Sequence, residues 1–266
     1  MQRRQFLQAG IFSSAFWWTP GLFAEELALT PRLTEGPFYP DKLPLDRDND
    51  LLIVGDSTTP ALGKVTHVTG RVLNASGTPV RNAIVEIWQC DQNGAYLHTG
   101  TDNGKGRDQH FQGYGQFLTD KNGAYRFRTI KPVPYPGRTP HIHFGVNRHG
   151  ERVLTTQLFV KGDPGNRRDG IFNGIHNRKA LANVLGDFKP VPDSRIGELA
   201  VNFDIVLGLT PNDPDDEDGS KGVGKSERES GRGMGPPPPG MRGPDGRRGP
   251  GGPGRFPPGP PPGFRP

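Results

Sequence analysis

The run YPGRTPHIHF, residues 135–144, places a tyrosine, an arginine and two histidines within nine residues of a chain that has only seven histidines and five tyrosines. A phenol, a guanidinium and two imidazoles at this spacing suit metal binding beside a fixed cation. HIHF alternates polar and apolar residues, which is the pattern of a half-buried strand. On a strand, residues i and i+2 share a face, about 6–7 Å apart along the chain. His141 and His143 can therefore converge on one ion while Ile142 turns to a core. A bare His-x-His also fits a second reading, the commoner one for such a pair: two ordinary residues on the outer face of a sheet. The motif alone names no metal, and zinc is the default for such a pair.

The elements that must position these residues read as short strands. KVTHVTGRVL, residues 64–73, alternates at period two, and NASGTP after it is a turn. VRNAIVEIWQC is a second strand region, closed by DQNG. GQFLTDKNGAYRFRTI gives two strands about Lys121-Asn122-Gly123, and HIHFGVN, RVLTTQLFV and ELAVNFDIVLG add more. Turn signals recur about every ten residues, as in all-β sandwiches. Residues 27–62 read as an extended leader containing TEGPFYP and a charged loop. The best helical candidate is NRKALANVLG, residues 177–186. The stretch GRVLNASGTPVRNAIVEIW followed by NGAYRF also resembles a prealbumin-like sandwich. On the strands alone, a non-catalytic periplasmic binding module is a competing reading.

Composition separates the ends from the middle. Gly and Pro number 39 and 29, and much of that excess lies beyond Pro211. Residues 211–266 lack strand or helix periodicity and residues to fill a core, so they read as a disordered Pro/Gly/Arg-rich tail. Residues 221–266 hold nine Lys and Arg against three Asp and Glu, and Arg3 and Arg4 lie in the first 24 residues. The formal charge of +5 therefore belongs to the ends and leaves residues 25–220 mildly acidic, which is no footprint of a nucleic-acid-binding domain. Cys90 is the single cysteine, so no intrachain disulfide forms. Residues 1–24, with RRQFL ahead of a moderately apolar stretch that ends in Leu22-Phe23-Ala24, resemble a twin-arginine export signal. The expectation is a protein in the periplasm or secreted, without stable membrane insertion, whose β-sandwich spans 25–210.

TEGPFYP, VEIWQCDQNGAYLH, PYPGRTPHIHF and TTQLFV occur in that order. Together they resemble the intradiol ring-cleavage dioxygenases, the protocatechuate 3,4-dioxygenase type in particular, over roughly residues 30–208. The resemblance implies one Fe(III) per chain, held by Tyr96, Tyr135, His141 and His143. It implies Arg138 as the cation beside developing ring charge, Gln157 as an aid to orienting substrate or oxygen, and Tyr135 as a proton acceptor. The implied partners are a catechol-type diol and O2, and the implied product is a cis,cis-muconic acid. Two imidazoles and two phenolates form a hard donor set that favours ferric iron. From the residues alone, Arg138 could still be a surface strand residue and Gln157 a plain hydrogen-bonding one.

Two departures stand out. Only Pro136 and Gly137 separate Tyr135 from Arg138, where the family's larger enzymes have a longer segment, so a more open site is expected. The helical dimerisation region of the catechol 1,2-type enzymes is also missing, which leaves oligomerisation open. His110 and Tyr114, in the run RDQHFQGYGQF, lie in a long segment that could approach the pocket. His98, His149 and His176 match no motif.

Overall fold

A computed structural model describes residues 27–101 and 104–208. The expected export segment, 1–24, and tail, 211–266, lie outside the described residues. Two five-stranded sheets pack face to face, with short helical turns in the segments between strands. In the first sheet, β1 (Val65–Asn74) is central and pairs antiparallel with β4 (Ala124–Ile130). On its other side it pairs parallel with β9 (Leu199–Asn202) and then β10 (Ile205–Leu207). The short β8 (Lys189–Pro190) completes the sheet. The second sheet runs β3 (Tyr114–Leu118), β2 (Ile84–Trp88), β5 (His141–Arg148), β6 (Glu151–Val160) and β7 (Leu185–Gly186).

Period-two patterning dictates the core. Val68 and Val72 of β1, Tyr125 and Phe127 of β4, and Val201, Phe203 and Ile205 face Val85, Ile87, Ile142, Phe144, Val146 and Leu158 of the second sheet. Fully burying each such aliphatic or aromatic side chain contributes about 1.5–3 kcal/mol. One close approach demands a glycine. At Gly70 the Phe203 carbonyl and the Tyr125 hydroxyl occupy the place a Cβ would take.

Every residue of β5 is buried, so its outer face must also be covered. Residues 33–40 supply part of the cover. Leu33 N–H donates to the Thr155 carbonyl at 2.8 Å and Tyr39 Oη to Glu86 Oε2 at 3.0 Å. Arg152 NH1 lies 3.5 Å from Glu35 Oε2, and its NH2 lies 2.6 Å from Glu86 Oε2. The Arg152 guanidinium crosses the sheet where Gly145 has no side chain: a Cβ there would stand 2.7 Å from Arg152 Cζ.

Two expectations change. The helix expected over 177–186 shrinks to α2 (Arg178–Ala182). Asn177 caps it by accepting from Lys179 N–H and Ala180 N–H. Past Asn183 the chain turns inward to bury Val184 and to pair β7 with β6, so tertiary pairing overrides helix propensity. ELAVNFDIVLG forms two strands, because Phe203 and Asp204 interrupt the ladder. A four-residue helix, α1 (Gly170–Asn173), was not expected from the sequence. Among the described residues no helix is long and apolar enough to cross a membrane.

Candidate metal centre

Sheet register builds the centre. Trp88 on β2 pairs with His143 on β5, which pairs with Gln157 on β6. These three lie in one row across the outer face, and His141 lies one step along β5, on the same face. The Trp88 indole stacks on the His143 imidazole with centroids 4.9 Å apart and planes 9° apart, which fixes the ring. His141 is fixed by a hydrogen bond, its Nδ1 lying 2.6 Å from the Thr139 carbonyl. A carbonyl only accepts, so that nitrogen carries the proton and His141 Nε2 presents a lone pair.

The tyrosines arrive from turns. Asp91 opens the first, its buried carboxylate accepting from the N–H groups of Asn93, Ala95 and Asp108. Gly94 takes φ 78°, which glycine adopts without strain, and Tyr96 follows with 1% exposure. In the second turn, Arg138 N–H donates to the Tyr135 carbonyl at 2.9 Å across Pro136 and Gly137. Gly137 has φ 79°, the arrangement of a type II turn with Pro and Gly in its central positions. Tyr135 and Arg138 are thereby brought side by side.

The four side chains named from the sequence meet. His141 Nε2 and His143 Nε2 are 3.1 Å apart, and Tyr96 Oη lies 3.4 Å from His141 Nε2. The Tyr135 ring stands 5.6 Å from His141 and 5.4 Å from Tyr96, centroid to centroid. Phe38 of the leader stacks on Tyr96 at 5.1 Å and meets Tyr135 edge-on at 6.1 Å. Pro136 and Gly137 are exposed and Tyr135 is half-buried, so the short turn leaves this side open.

Electrostatics favours neutral imidazoles. Burial, followed by the charge of Arg138, holds His141 down to about 3. Burial and the neighbouring His141 hold His143 well below the usual range. Burial raises Tyr96 strongly, Tyr135 adding to it, and burial also raises Tyr135 against the opposing pull of Arg138. Phenolates therefore need a strong cation at this place. Burial pushes the Cys90 thiol up to about 12, so it offers no thiolate.

The donor set fits one ion. Two imidazole nitrogens each about 2.1 Å from one ion lie about 3 Å apart in adjacent positions, and the observed separation is 3.1 Å. Among the described residues no three His, Cys, Asp or Glu side chains stand together as a metal group. The phenols of Tyr96 and Tyr135 stand beside the two imidazoles and complete a set of two nitrogen and two oxygen donors. That set departs from structural zinc chemistry and suits a hard ferric ion.

Arg138 is buried and its guanidinium is engaged on three nitrogens. Nε donates to Asp169 Oδ2 at 2.8 Å, NH2 to Gln157 Oε1 at 2.6 Å and NH1 to Tyr135 Oη at 3.3 Å. Gln157 Nε2 donates to the Thr34 carbonyl at 2.9 Å, so both ends of its amide are fixed. Burial raises the Asp169 carboxyl, but the Arg138 charge and the N–H groups of Phe172 and Thr139 outweigh it and leave it below the usual carboxylate range. His110 is exposed, and its backbone N–H donates to Asp108 Oδ1 at 2.9 Å. Tyr114 shares the sheet face but pairs with Trp88, which stands between it and His143. His98 touches Phe38 edge-on at 5.8 Å. Sequence reasoning missed Asp169, which no spacing rule links to Arg138. It also missed the roles of Trp88 and Phe38, although both lie inside quoted motifs.

Comparison with known proteins gives concordant matches. The Dioxygenase_C family, described as dioxygenase, matches residues 34–208. A protocatechuate 3,4-dioxygenase beta chain from Burkholderia cepacia is 38% identical over 169 residues, covering 60% of this chain and 71% of that one. A hydroxyquinol 1,2-dioxygenase from Corynebacterium glutamicum is 32% identical over 195 residues, covering 65% of this chain and 61% of that one. This chain thus spans about three-fifths of that relative's length. Among solved structures, the dioxygenase domain of a dioxygenase–carbohydrate-binding fusion from Streptomyces sp. SirexAA-E superposes with a TM-score of 0.53 at 31% identity, covering 69% of this chain and all of that one.

Proposed function

This chain belongs to the intradiol dioxygenase family, and from that premise we propose that Tyr96, Tyr135, His141 and His143 hold one Fe(III) per chain. The enzyme opens a catechol-type diol between its two hydroxyl-bearing carbons and forms a cis,cis-muconic acid. The observation that carries the ligand reading is that Tyr96 meets Tyr135, His141 and His143 of the 135–143 run, 39 or more residues further along the chain, with two imidazole nitrogens 3.1 Å apart. Ferric iron supplies the Lewis acidity and electron demand that let an ionised catechol react with O2. Both oxygen atoms end in the product, so the reaction needs no outside reductant.

The protein's own groups do the rest. Tyr96 is buried, and it serves as a permanent donor. Tyr135 is half-buried and sits on the open turn, so its Oη is the group suited to accept a proton from the diol. Arg138 NH1, 3.3 Å from that oxygen, stabilises negative charge there and on the adjoining ring. A preorganised buried cation does this without reorganising during the reaction. Gln157 acts on the same guanidinium, holding one of its edges. Phe38 and the leader shield the centre from bulk water on one side.

Purified protein should bind about one iron per chain and show a tyrosinate-to-Fe(III) band in the visible. It should take up O2 with at least one of catechol, protocatechuate and hydroxyquinol. A colourless protein that holds zinc after iron reconstitution, or a yellow semialdehyde as main product, would overturn the reading. We also propose twin-arginine export from residues 1–24. Loss of export on replacing Arg3 and Arg4 by lysine tests that, and export unchanged by the double replacement would refute it.

A further inference from the structure

The carboxylate of Asp169 is fully shielded from solvent, its side chain being 0% exposed. It accepts four N–H groups. Oδ2 takes Arg138 Nε at 2.8 Å and Thr139 N at 2.9 Å, and Oδ1 takes Ile171 N and Phe172 N at 3.0 Å each. One oxygen thus caps α1 while the other holds the arginine beside the metal centre. A guanidinium is planar, so pinning Nε together with NH2 fixes the whole fork. Gln157 holds NH2 but is neutral, and Asp169 is the only carboxylate in contact with this guanidinium among the described residues.

A second consequence of the same contacts concerns the wall of the site. Phe172, held at the capped end of α1, packs edge-on against Phe159 at 5.2 Å, and Phe159 packs against His141 at 6.0 Å. The carboxylate that aims Arg138 also anchors a helix that backs a proposed ligand.

We propose that Asp169 is a positioning residue for the ring-cleavage reaction, holding the Arg138 guanidinium so that NH1 faces Tyr135 Oη and the diol that would lie beyond it. This rests on the reading of the centre given above. Asp169 touches neither metal nor substrate and acts through Arg138. An arginine released from it would still carry its charge, but would no longer be preorganised where that charge is needed.

The experiment compares Asp169→Asn, Asp169→Ser, Arg138→Gln and the double variant Asp169→Asn/Arg138→Gln with the iron-loaded wild type. Asn and Ser both keep an oxygen that can cap α1, so either serves if the other fails to fold. In Asp169→Asn and Asp169→Ser, iron per chain should stay as in wild type. With catechol, kcat should fall by roughly 10- to 100-fold, in the range expected when a preorganised group is misplaced, with KM changing far less. The double variant should be no slower than Arg138→Gln by more than about twofold, because the two act as one unit. Asp169 variants with wild-type kcat per iron, or losses that multiply in the double variant, would overturn the proposal.

A readout independent of turnover separates this from failure of the functional reading. Phenylglyoxal modification of Arg138, followed by peptide mass spectrometry, should be at least about tenfold faster in Asp169→Asn and Asp169→Ser, because the buried fork has lost its anchor. An unchanged rate would overturn the positioning role even in a protein that bound no iron.

Discussion

Replacing Arg152 by methionine tests the buried charge cluster behind the leader. The Arg152 side chain is 2% exposed, that of Glu86 0% and that of Glu35 4%. Methionine keeps an apolar stem but removes the 2.6 Å contact to Glu86, the 3.5 Å contact to Glu35 and the 2.9 Å bond from Nε to Asn147 Oδ1. It also removes a cation lying 5.3 Å from the Tyr39 ring centroid and 5.7 Å from that of Trp88. Breaking one side of a buried pair costs about 3–5 kcal/mol, because the remaining charge stays buried without compensation. For a domain of this size that is a drop of about 6–20 °C in Tm, at roughly 2–4 °C per kcal/mol. The sign of the pH dependence follows from Glu86. Burial raises its carboxyl to about 6 although Arg152 pulls it down. A folded-state pKa raised above the unfolded value means that the folded state binds more protons between the two. This group therefore costs stability as pH rises through that window. Removing Arg152 raises Glu86 further, so the window extends to higher pH. The deficit against wild type should be largest near pH 8 and shrink towards pH 5.5, by about 1.4 kcal/mol for each pKa unit by which Glu86 moves up. Urea unfolding of iron-loaded wild type and variant at both pH values reads this directly. A variant within about 1 kcal/mol of wild type at pH 8, or a deficit that grows on acidification, would refute the reasoning.

Other outcomes follow from single contacts. Tyr96→Phe should abolish or shift the visible band. Tyr125→Phe should keep band and ring cleavage while losing about 1–2 kcal/mol of stability, since its buried hydroxyl donates to the Phe203 carbonyl; bleached Tyr125→Phe beside coloured Tyr96→Phe would reverse the assignment. Gly145→Ala should cost about 1–3 kcal/mol by overpacking, because its Cβ would stand 2.7 Å from Arg152 Cζ, and an unchanged Tm would show that the guanidinium yields freely. Ending the chain near Asn212 should leave iron content and Tm unchanged, because the removed sequence has little apolar surface to bury; a Tm loss of several degrees would contradict that.

The twin occurrences of NGAY show where sequence reading succeeds and where it stops. Both glycines take a positive φ, 78° at Gly94 and 69° at Gly123, so the turn chemistry is local and legible. The destinations differ. Tyr125 enters β4 opposite Gly70 and points into the core, whereas Tyr96 leaves its turn towards His141. No local rule separates them; only the wider run of motifs did. His141 and His143 were legible because period two depends on backbone geometry alone. The short reach from Tyr135 to Arg138 was legible because Pro-Gly specifies its own turn. Asp169 lies 31 residues from Arg138, and Glu35 lies 117 from Arg152. Such pairings arise from how the sheets and leader stack, which no short window encodes. The 177–186 helix failed for a related reason, since β6 claims its last residues as a strand partner.

The hydrogen bonds of Thr30 have a topological corollary. Its N–H donates to the Val206 carbonyl and its Oγ1 accepts from the Val206 N–H, at 3.0 and 2.9 Å. Leu29 beside it reaches within 3.5 Å of where a Cβ on Gly208 would stand. The first and last described segments thus meet at one edge of the first sheet, and the sandwich is close to a closed ring of chain. A few small residues could splice that seam. New ends could then be cut between the exposed Lys121 and Asn122, and every contact of the Tyr, His and Arg constellation would be inherited by the permuted chain.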